Sequence, residues 1–539
     1  MNLEKLRDAV LKCMEKLHSG VVFGHDDIIL ERPKSREHGD WSTNVAMKFA
    51  KKLGYSNPRE LASMLVKELE SLREVQKVEI AGPGFINISL DTAAAASIVK
   101  DILAEGEDYG RNNSIPERIN LEFVSANPTG PLHIGGVRWA AVGDSLARIL
   151  EFSGSKVTKE YYFNDHGTQI DRFAKSLFAA ANHEPTPEDG YAGSYISEIA
   201  SRIVEKLGKS ATLDDFRSAG VEIMFPAIKQ SLKDFGVEFD VFFHEQSLYD
   251  EGKVNAAIEK LRARGAIYEE NGATWVRTTD FGDDKDRVVI KSNGEEAYFA
   301  ADIAYYLDKR ARCDKAIYML GADHGGYVGR LYAVARAFGD SHPENIEVLL
   351  GQLVNLKQGG EPVRMSKRAG NIITIDDLVD VVGVDAARYS LTRSSTDSTL
   401  ELDLDLLSSN KMDNPVFYVQ YAFARTQNVL RHFEVAGFSV ENTADLGQLT
   451  APEEEQLLAT LTQYPAVIQK SATLLEPHRV CRYLEELASS YHSWYAKCRV
   501  VGDGISPELS AARIQLNLAA AQVLKNGLKL VGVSAPEKM

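Results

Sequence analysis

Arg118-Ile119-Asn120-Leu121-Glu122-Phe123-Val124-Ser125-Ala126-Asn127-Pro128-Thr129-Gly130-Pro131-Leu132-His133-Ile134-Gly135-Gly136 is the stretch on which the reading of this chain turns. Its first seven residues read as a buried strand. Its last six form a turn into a helix with apolar residues at Trp139, Val142, Leu146 and Ile149, ending before Gly154. A strand-to-helix turn is where a phosphate site is built, because free backbone N–H groups and the positive helix end point outward there. Gly135 and Gly136 remove side chains, so a flat base or a phosphate can approach the backbone. His133 can donate a hydrogen bond to a phosphate oxygen. Taken alone, Pro131–Gly136 reads equally as a tight turn with an incidental histidine.

Moving outward, a second strand is predicted over Val157–Phe163, a third over Ala316–Leu320 feeding a helix at Val328–Phe338, and a longer one over Ile346–Leu356, ending near Gly359-Gly360. This βαβ alternation predicts a parallel, doubly wound sheet. Helical patterns over Gln169–Leu207 and Leu213–Phe235 predict an insertion at about 170–280. The first hundred residues read as a small α+β unit. It has helices at Leu3–Leu17 and Pro58–Leu69 and a strand pair at Val75–Ile80 and Phe85–Leu90; Gly106–Glu117 reads as a linker. From about Leu400 strand signals give way to amphipathic helices: Pro415–Phe433, Ala451–Leu475, Arg479–Cys498 and Pro507–Leu530. The expected fold is multidomain α/β. A small α+β N-terminal domain (1–110) precedes a Rossmann-like, doubly wound catalytic domain (111–395) and an all-α C-terminal bundle (396–539).

Length and composition fit this division. The chain has 539 residues, 44% of them hydrophobic and 26% charged, enough for several cores. Cys13, Cys313, Cys481 and Cys498 form no C-x-x-C pair, which predicts neither a disulfide framework nor a cysteine zinc site and fits a reducing cytosol. The pattern at Met1–Leu17 carries Glu4, Asp8 and Glu15, acids that a mitochondrial transit peptide avoids. No apolar run is long enough to span a membrane. A net charge of −16 argues mildly against nucleic acid. Screening within about 10 Å still lets a local basic patch act, so any RNA contact is expected to be local.

Met365-Ser366-Lys367-Arg368 lies after the long strand. A lysine on a loop can close over a triphosphate and neutralise charge that grows as pyrophosphate leaves. By itself such a run reads as a solvated basic loop. In this order and spacing the two motifs resemble the ATP-handling signatures of class I aminoacyl-tRNA synthetases. There are two departures: Gly136 stands where that family has a second histidine, which helps stabilise the transition state at the α-phosphate, and Arg364 stands for its first lysine. Longer segments resemble the arginyl-tRNA synthetases. They are 122–133, Asn164-Asp165-His166-Gly167-Thr168-Gln169-Ile170, Gly321-Ala322-Asp323-His324, 414–422, Glu37-His38-Gly39-Asp40, Gly84-Phe85-Ile86-Asn87 and 535–539.

The resemblance implies ATP-dependent activation of L-arginine and its transfer to tRNA(Arg), with Mg²⁺ accompanying ATP, no structural metal, and a cytoplasmic monomer. It implies His133, Ser366 and Lys367 as catalytic, and Pro131, His133, Gly135, Gly136, Met365, Ser366 and Lys367 as the ATP site. Arginine would be held by Glu122, Asn127, Tyr298, Asp302, Asp323 and His324. A guanidinium has five donors and no acceptor, so a selective pocket needs carboxylates; the family's Tyr-x-x-x-Asp pattern is Tyr298-Phe299-Ala300-Ala301-Asp302, whose i, i+4 pair shares one helix face. The N-terminal domain resembles a tRNA-elbow module, with Phe85 and Asn87 as candidates. The bundle resembles an anticodon-binding domain, where Tyr418, Tyr421 and Phe423 offer stacking faces, and Met539 is a further candidate. Without the resemblance, Asp302 reads as a solvated acid and the tyrosines as core. Two alternatives stay open: another adenylate-forming nucleotidyltransferase, and a catalytically impaired tRNA-binding paralogue.

Overall fold

The computed structural model describes residues 3–31, 33, 38–72, 74–91, 96–164, 167–363, 373–440 and 444–539. Helices of eight or more residues are numbered. The N-terminal unit contains α1 (Leu3–Leu17) and α2 (Pro58–Leu69) against an antiparallel sheet of β1 (Leu30–Glu31), β2 (Trp41–Thr43), β3 (Val75–Ala81) and β4 (Phe85–Leu90), in the order β1-β2-β4-β3. It has its own core around Val10, Trp41, Leu65 and Ile88.

Helix α3 (Ile98–Glu105) leads to β5 (Arg118–Glu122). The segment expected to be a linker, Gly106–Glu117, is packed down instead. Tyr109 is buried and stacks on Tyr464 at 5.9 Å, and the Asn526 amide donates to the Gly106 carbonyl.

The central sheet is wholly parallel, in the order β12-β11-β5-β6-β7, with β6 at Lys156–Phe163, β7 at Val241–His244, β11 at Lys315–Gly321 and β12 at Ile346–Gly351. Four of the five residues of β5 are buried, as expected for a strand covered on both faces. Strand order runs from β5 outward through β6 to β7, then returns to β11 and β12 on the other side. That reversal opens a crevice at the carboxyl ends of β5 and β11. After β5 comes α4 (Ile134–Phe152), with fifteen of its 19 residues buried; such a helix is enclosed on all sides. It belongs to a core containing Ile317 and Met319 of β11, whereas Ala316 and Tyr318 face a second core on the opposite side of the sheet.

The predicted insertion is helical only in part. Gln169–Leu207 divides into α5 (Thr168–Ala181) and α6 (Ser194–Leu207), interrupted by a segment with Pro185, Pro187 and Gly190; α7 (Leu213–Asp234) follows. Then β7 joins the main sheet. After α8 (Lys253–Ala263), β8 (Ile267–Glu270), β9 (Ala273–Val276) and β10 (Arg287–Ile290) form a small antiparallel sheet. Helices α9 (Tyr298–Arg312) and α10 (Gly325–Ala337) flank β11.

The long strand expected at Ile346–Leu356 breaks at Gly351. A Cβ there would lie 2.3 Å from the Trp139 ring of α4, so the chain passes the indole and changes sheet. Strand β13 (Val354–Gln358) pairs antiparallel with β14 (Glu361–Pro362) and parallel with β15 (Leu400–Asp403). Between them lie α11 (Ile375–Val382) and α12 (Val384–Thr392). The expected boundary at 395 therefore falls inside this unit.

The bundle comprises α13 (Pro415–Val435), α14 (Pro452–Thr462), α15 (Tyr464–Leu474), α16 (His478–Lys497) and α17 (Pro507–Leu530). Ala451–Leu475, expected as one helix, divides at Gln463, just before Pro465. The bundle shares one continuous core with α4. Polar contacts tie α4 and α12 to each other and to the end of the bundle. Asp144 of α4 pairs with Arg388 of α12 at 2.6 Å, both 1% exposed, and the Ser145 hydroxyl donates to the Val531 carbonyl at 3.3 Å. Arg388 also reaches the Val531 carbonyl, at 3.5 Å, and presses so closely on Gly532 that a Cβ there would sit 2.0 Å away.

Candidate active site

The chain leaves β5 through Val124 and Ser125, both at positive φ (69° and 39°). That region is costly for a β-branched residue and is held only by its surroundings. Those surroundings are visible. The Ser125 hydroxyl donates to Glu122 (3.0 Å) and accepts from the Tyr162 N–H (3.1 Å), and the Tyr161 hydroxyl donates to the Ala126 carbonyl (2.7 Å). The Asn127 amide donates to Gln169 at 2.7 Å. Pro131 is half-buried, and at the end of the loop His133 caps α4, its Nδ1 accepting from the Gly135 N–H at 3.2 Å. The positive end of a 19-residue helix thus opens into the crevice beside two glycines. At Gly136 an added Cβ would meet nothing nearer than 3.9 Å.

The segment after the second motif meets the same turn. Met365, Ser366 and Lys367 lie outside the described residues, but both flanks are placed. Val363 N–H donates to Leu356 in β13 at 2.9 Å; on the other side Ile134 N–H donates to the Ile373 carbonyl at 3.2 Å and Ile375 N–H to Leu132 at 2.9 Å. His133 and Thr374 form an antiparallel bridge.

A second feature lies on the α9 side of the sheet. Tyr298, the first residue of α9, is 78% exposed, and Asp302 is one turn further on. Asp302 keeps part of its surface open although protein encloses it on nearly every side. Its carboxyl is pushed up to about 6, chiefly by burial, with Glu245 and Glu122 adding to the rise and the Tyr327 hydroxyl and Arg330 opposing it. Tyr162, hydrogen-bonded to Glu245, and Tyr327, hydrogen-bonded to Asp302, are both raised mainly by burial. Tyr249 is likewise pushed up to about 12. The result is an acidic recess walled by tyrosines. Carboxylates that raise one another's pKa at one place favour a cation there. Glu245, absent from the sequence-based set, belongs to this recess. Its only sequence signal is an acid immediately after β7, at the carboxyl edge of a parallel sheet.

Glu122 has a different setting from the one expected. It is 6% exposed, and one oxygen accepts from Tyr305 (2.8 Å) and pairs with the fully buried Lys309 (2.5 Å), while the other accepts from Ser125. Glu160 sits beside it, taking Tyr305 (2.7 Å), Asn120 (3.0 Å) and Arg312 (2.6 Å). Burial pushes Glu160 up, but Lys309 and Arg312 outweigh it and hold it below the ordinary range. Glu122 is thus already engaged by Lys309 and Tyr305, in a network that continues through Glu160 and Arg312 to Asp308. Asp323 and His324 lie in the turn after β11, their side chains 83% and 59% exposed and 3.7 Å apart, on the rim of the crevice.

Of the distal candidates, Phe85 is 38% exposed and Met539 51%. Asn87 is only 7% exposed, on the interior strand β4 between β2 and β3, and does not face solvent as expected. Phe423 is buried too. Tyr421 stacks on Phe417 (5.6 Å), and Arg425 lies over both Tyr421 (4.5 Å) and Tyr495 (4.8 Å). Tyr418 packs against His492 at 4.8 Å. Together they form a half-buried aromatic and cationic face. Among the described residues no group of three acids, histidines or cysteines is placed to hold a metal, and no helix is long and apolar enough to cross a membrane.

Three family models match the chain in succession: an arginyl tRNA synthetase N-terminal domain over 4–90, a class I (R) tRNA synthetase catalytic domain over 98–406, and a DALR anticodon binding domain over 419–539. The chain is similar to an arginine–tRNA ligase of Kineococcus radiotolerans, 55% identical over 95% of this chain and 94% of that one. It is 57% identical to an arginine–tRNA ligase of Clavibacter sepedonicus over 96% and 95%. Among solved structures, arginyl-tRNA synthetase of Thermus thermophilus superposes over the whole of both chains with a TM-score of 0.78 at 20% identity. A Campylobacter jejuni protein assigned as an arginyl-tRNA synthetase superposes over 84% of this chain and all of its own, with a TM-score of 0.76 at 34% identity.

Proposed function

The chain belongs to the arginyl-tRNA synthetases of class I, and from that premise we propose that ATP and arginine meet in the crevice between the His133 turn and the Asp302 recess. The family reaction is ATP-dependent ligation of arginine to tRNA. In the first step an oxygen of the arginine carboxylate attacks the α-phosphorus of ATP; the bond from that phosphorus to the α,β-bridging oxygen breaks and pyrophosphate leaves with the electron pair. In the second, a terminal ribose hydroxyl of tRNA attacks the carbonyl carbon of arginyl-adenylate and AMP leaves with the bonding pair.

The nucleophile of the first step is already ionised, so no general base is required. Positioning and charge stabilisation carry the rate. His133 and the positive end of α4 hold the phosphates next to Pro131, with Gly135 and Gly136 leaving the approach clear of side chains. Lys367 neutralises the departing pyrophosphate, with Met365 and Ser366 setting its loop. Mg²⁺ accompanies ATP as a phosphate-bound ion. Asp302, Tyr298 and Glu245 accept from the guanidinium fork. Asn127 holds the backbone end of arginine, Asp323 and His324 border it, and Glu122 fixes the strand end from beneath. Phe85 meets the tRNA elbow, and Tyr418, Tyr421 and Met539 meet the anticodon end. This reading has the protein acting as a monomer in the cytoplasm.

The observation that carries the proposal is the acidic, tyrosine-walled recess on the same parallel sheet whose β5 runs into the positive end of α4. The experiment is attachment of radiolabelled arginine to total tRNA with ATP and Mg²⁺, beside pyrophosphate exchange with and without tRNA. Arginine charging is expected. Retained tRNA binding with no charging by any amino acid would overturn it.

A further inference from the structure

Arg138 has no part in the reading above, yet it is the most unusual charge in the protein. It stands little more than one turn after His133 and is 1% exposed. Its guanidinium donates to three backbone carbonyls: Gln352 (3.0 Å) and Ser398 (3.0 Å) through Nη1, and Ser395 (2.8 Å) through Nη2; Nε has no partner. Among the described residues no carboxylate bonds it directly. Asp397 acts on it only through space, and burial makes its charged form harder to keep. A buried cation satisfied by neutral carbonyls alone is expensive, and an apolar side chain of similar volume would stabilise the core better if packing were its only task.

Its three acceptors share a location. Gln352 is the first residue beyond the carboxyl end of β12 and runs through Leu353, 73% exposed, into β13. Ser395 and Ser398 lie between α12 and β15, the parallel partner of β13. The two segments also bond each other, Gln352 N–H to Thr396 (2.9 Å) and Leu400 N–H to Leu353 (3.0 Å). One side chain therefore ties the helix that opens at the His133 turn to the segment crossing the carboxyl edge at β12. The recess around Asp302 draws instead on α9, Tyr162 of β6, Glu245 after β7 and Tyr327 of α10.

Resting on the proposed function, we infer that Arg138 is a positioning residue for the ATP half of the site: it fixes the Gln352–Leu353 segment against the His133 turn and leaves the arginine half untouched. The test uses full-length Arg138→Met and Arg138→Lys in pyrophosphate exchange with tRNA present, ATP and arginine being varied separately, beside thermal unfolding. The expected result is an ATP KM raised roughly tenfold or more in Arg138→Met with the arginine KM within about twofold, and partial recovery in Arg138→Lys, which can still donate to these carbonyls. Equal changes in both KM values, or none, in a folded variant overturn the inference. Arg138→Lys keeps the charge, so its KM split decides the matter if Arg138→Met does not fold. Failure of the wild type itself to exchange with arginine would count against the proposed function, not against this role.

Discussion

Replacing Asp302 with Asn should make the protein more stable and a worse binder of arginine, and both effects should follow pH. The Asp302 carboxyl titrates at about 6, against 3.8 for an unhindered aspartate, because protein surrounds it and Glu245 and Glu122 face it. A folded-state pKa above the unfolded value means that the folded protein holds the proton more tightly. Ionisation therefore costs stability progressively as pH rises from about 4 to 6, and the cost is constant above that. Two pKa units correspond to about 3 kcal/mol, which partial contact with solvent reduces to about 2. Asn never ionises and can still accept from Tyr327. Asp302→Asn should therefore unfold several degrees higher than wild type at pH 8, with the gap closing by pH 4. Arginine binding runs oppositely, because a guanidinium needs the carboxylate. With a pKa near 6, wild-type affinity for arginine should fall about tenfold between pH 7.5 and 5 as Asp302 takes up its proton. In Asp302→Asn, affinity should be weak throughout and flat over that range. Calorimetric titration with arginine and differential scanning calorimetry at five pH values give both curves. A variant no more stable than wild type at pH 8, or a wild-type arginine affinity indifferent to pH in this interval, would refute the reasoning.

Lys367→Ala should slow arginine activation by roughly 10²- to 10³-fold while tRNA affinity stays nearly the same; an equal loss in filter binding and pyrophosphate exchange would sink its assigned role. Gly136→His should fold within about 0.5 kcal/mol of wild type, because its Cβ meets nothing closer than 3.9 Å. Its exchange rate should match or exceed the parent's, and a collapse would show that the nucleotide needs that space. Asp144→Ala strands the buried Arg388 guanidinium and should cost about 3–5 kcal/mol in urea unfolding; a loss under 1 kcal/mol would mean that the Phe235, Gly236 and Val531 carbonyls already suffice for it.

Local signals carried the sequence reading far. The run Arg118–Val124, the glycines that follow it and the apolar spacing from Trp139 to Ile149 specify strand, turn and helix without outside help, and the structure has them. The spacing of Tyr298 and Asp302 likewise holds, since both lie on one helix. What escaped depends on residues distant in the chain. Strand β12 stops because Trp139 occupies the space beside Gly351. Glu122 is not a free acid because Lys309, 187 positions later, reaches it through the core. Glu245 joins the recess only when β7 docks at the sheet edge. Asn87 shares with Phe85 the alternation of a strand, but being interior, its strand has little surface to give.

The contact between Ser145 and Val531 spans 386 positions of sequence, and it bears on the order in which a ribosome delivers this protein. The helix that opens at the His133 turn emerges early, before Arg388 and Val531, the distant partners of Asp144 and Ser145, exist. At 5–20 residues per second, Arg388 follows after roughly 12–50 s and Val531 after roughly 20–80 s. Through that interval α4 cannot reach its final surroundings, and its apolar flanks are open to whatever else is nearby. The enzyme's catalytic half is thus finished from its far end, and a truncated product lacking 531–534 would be an unfinished one at the His133 helix as well.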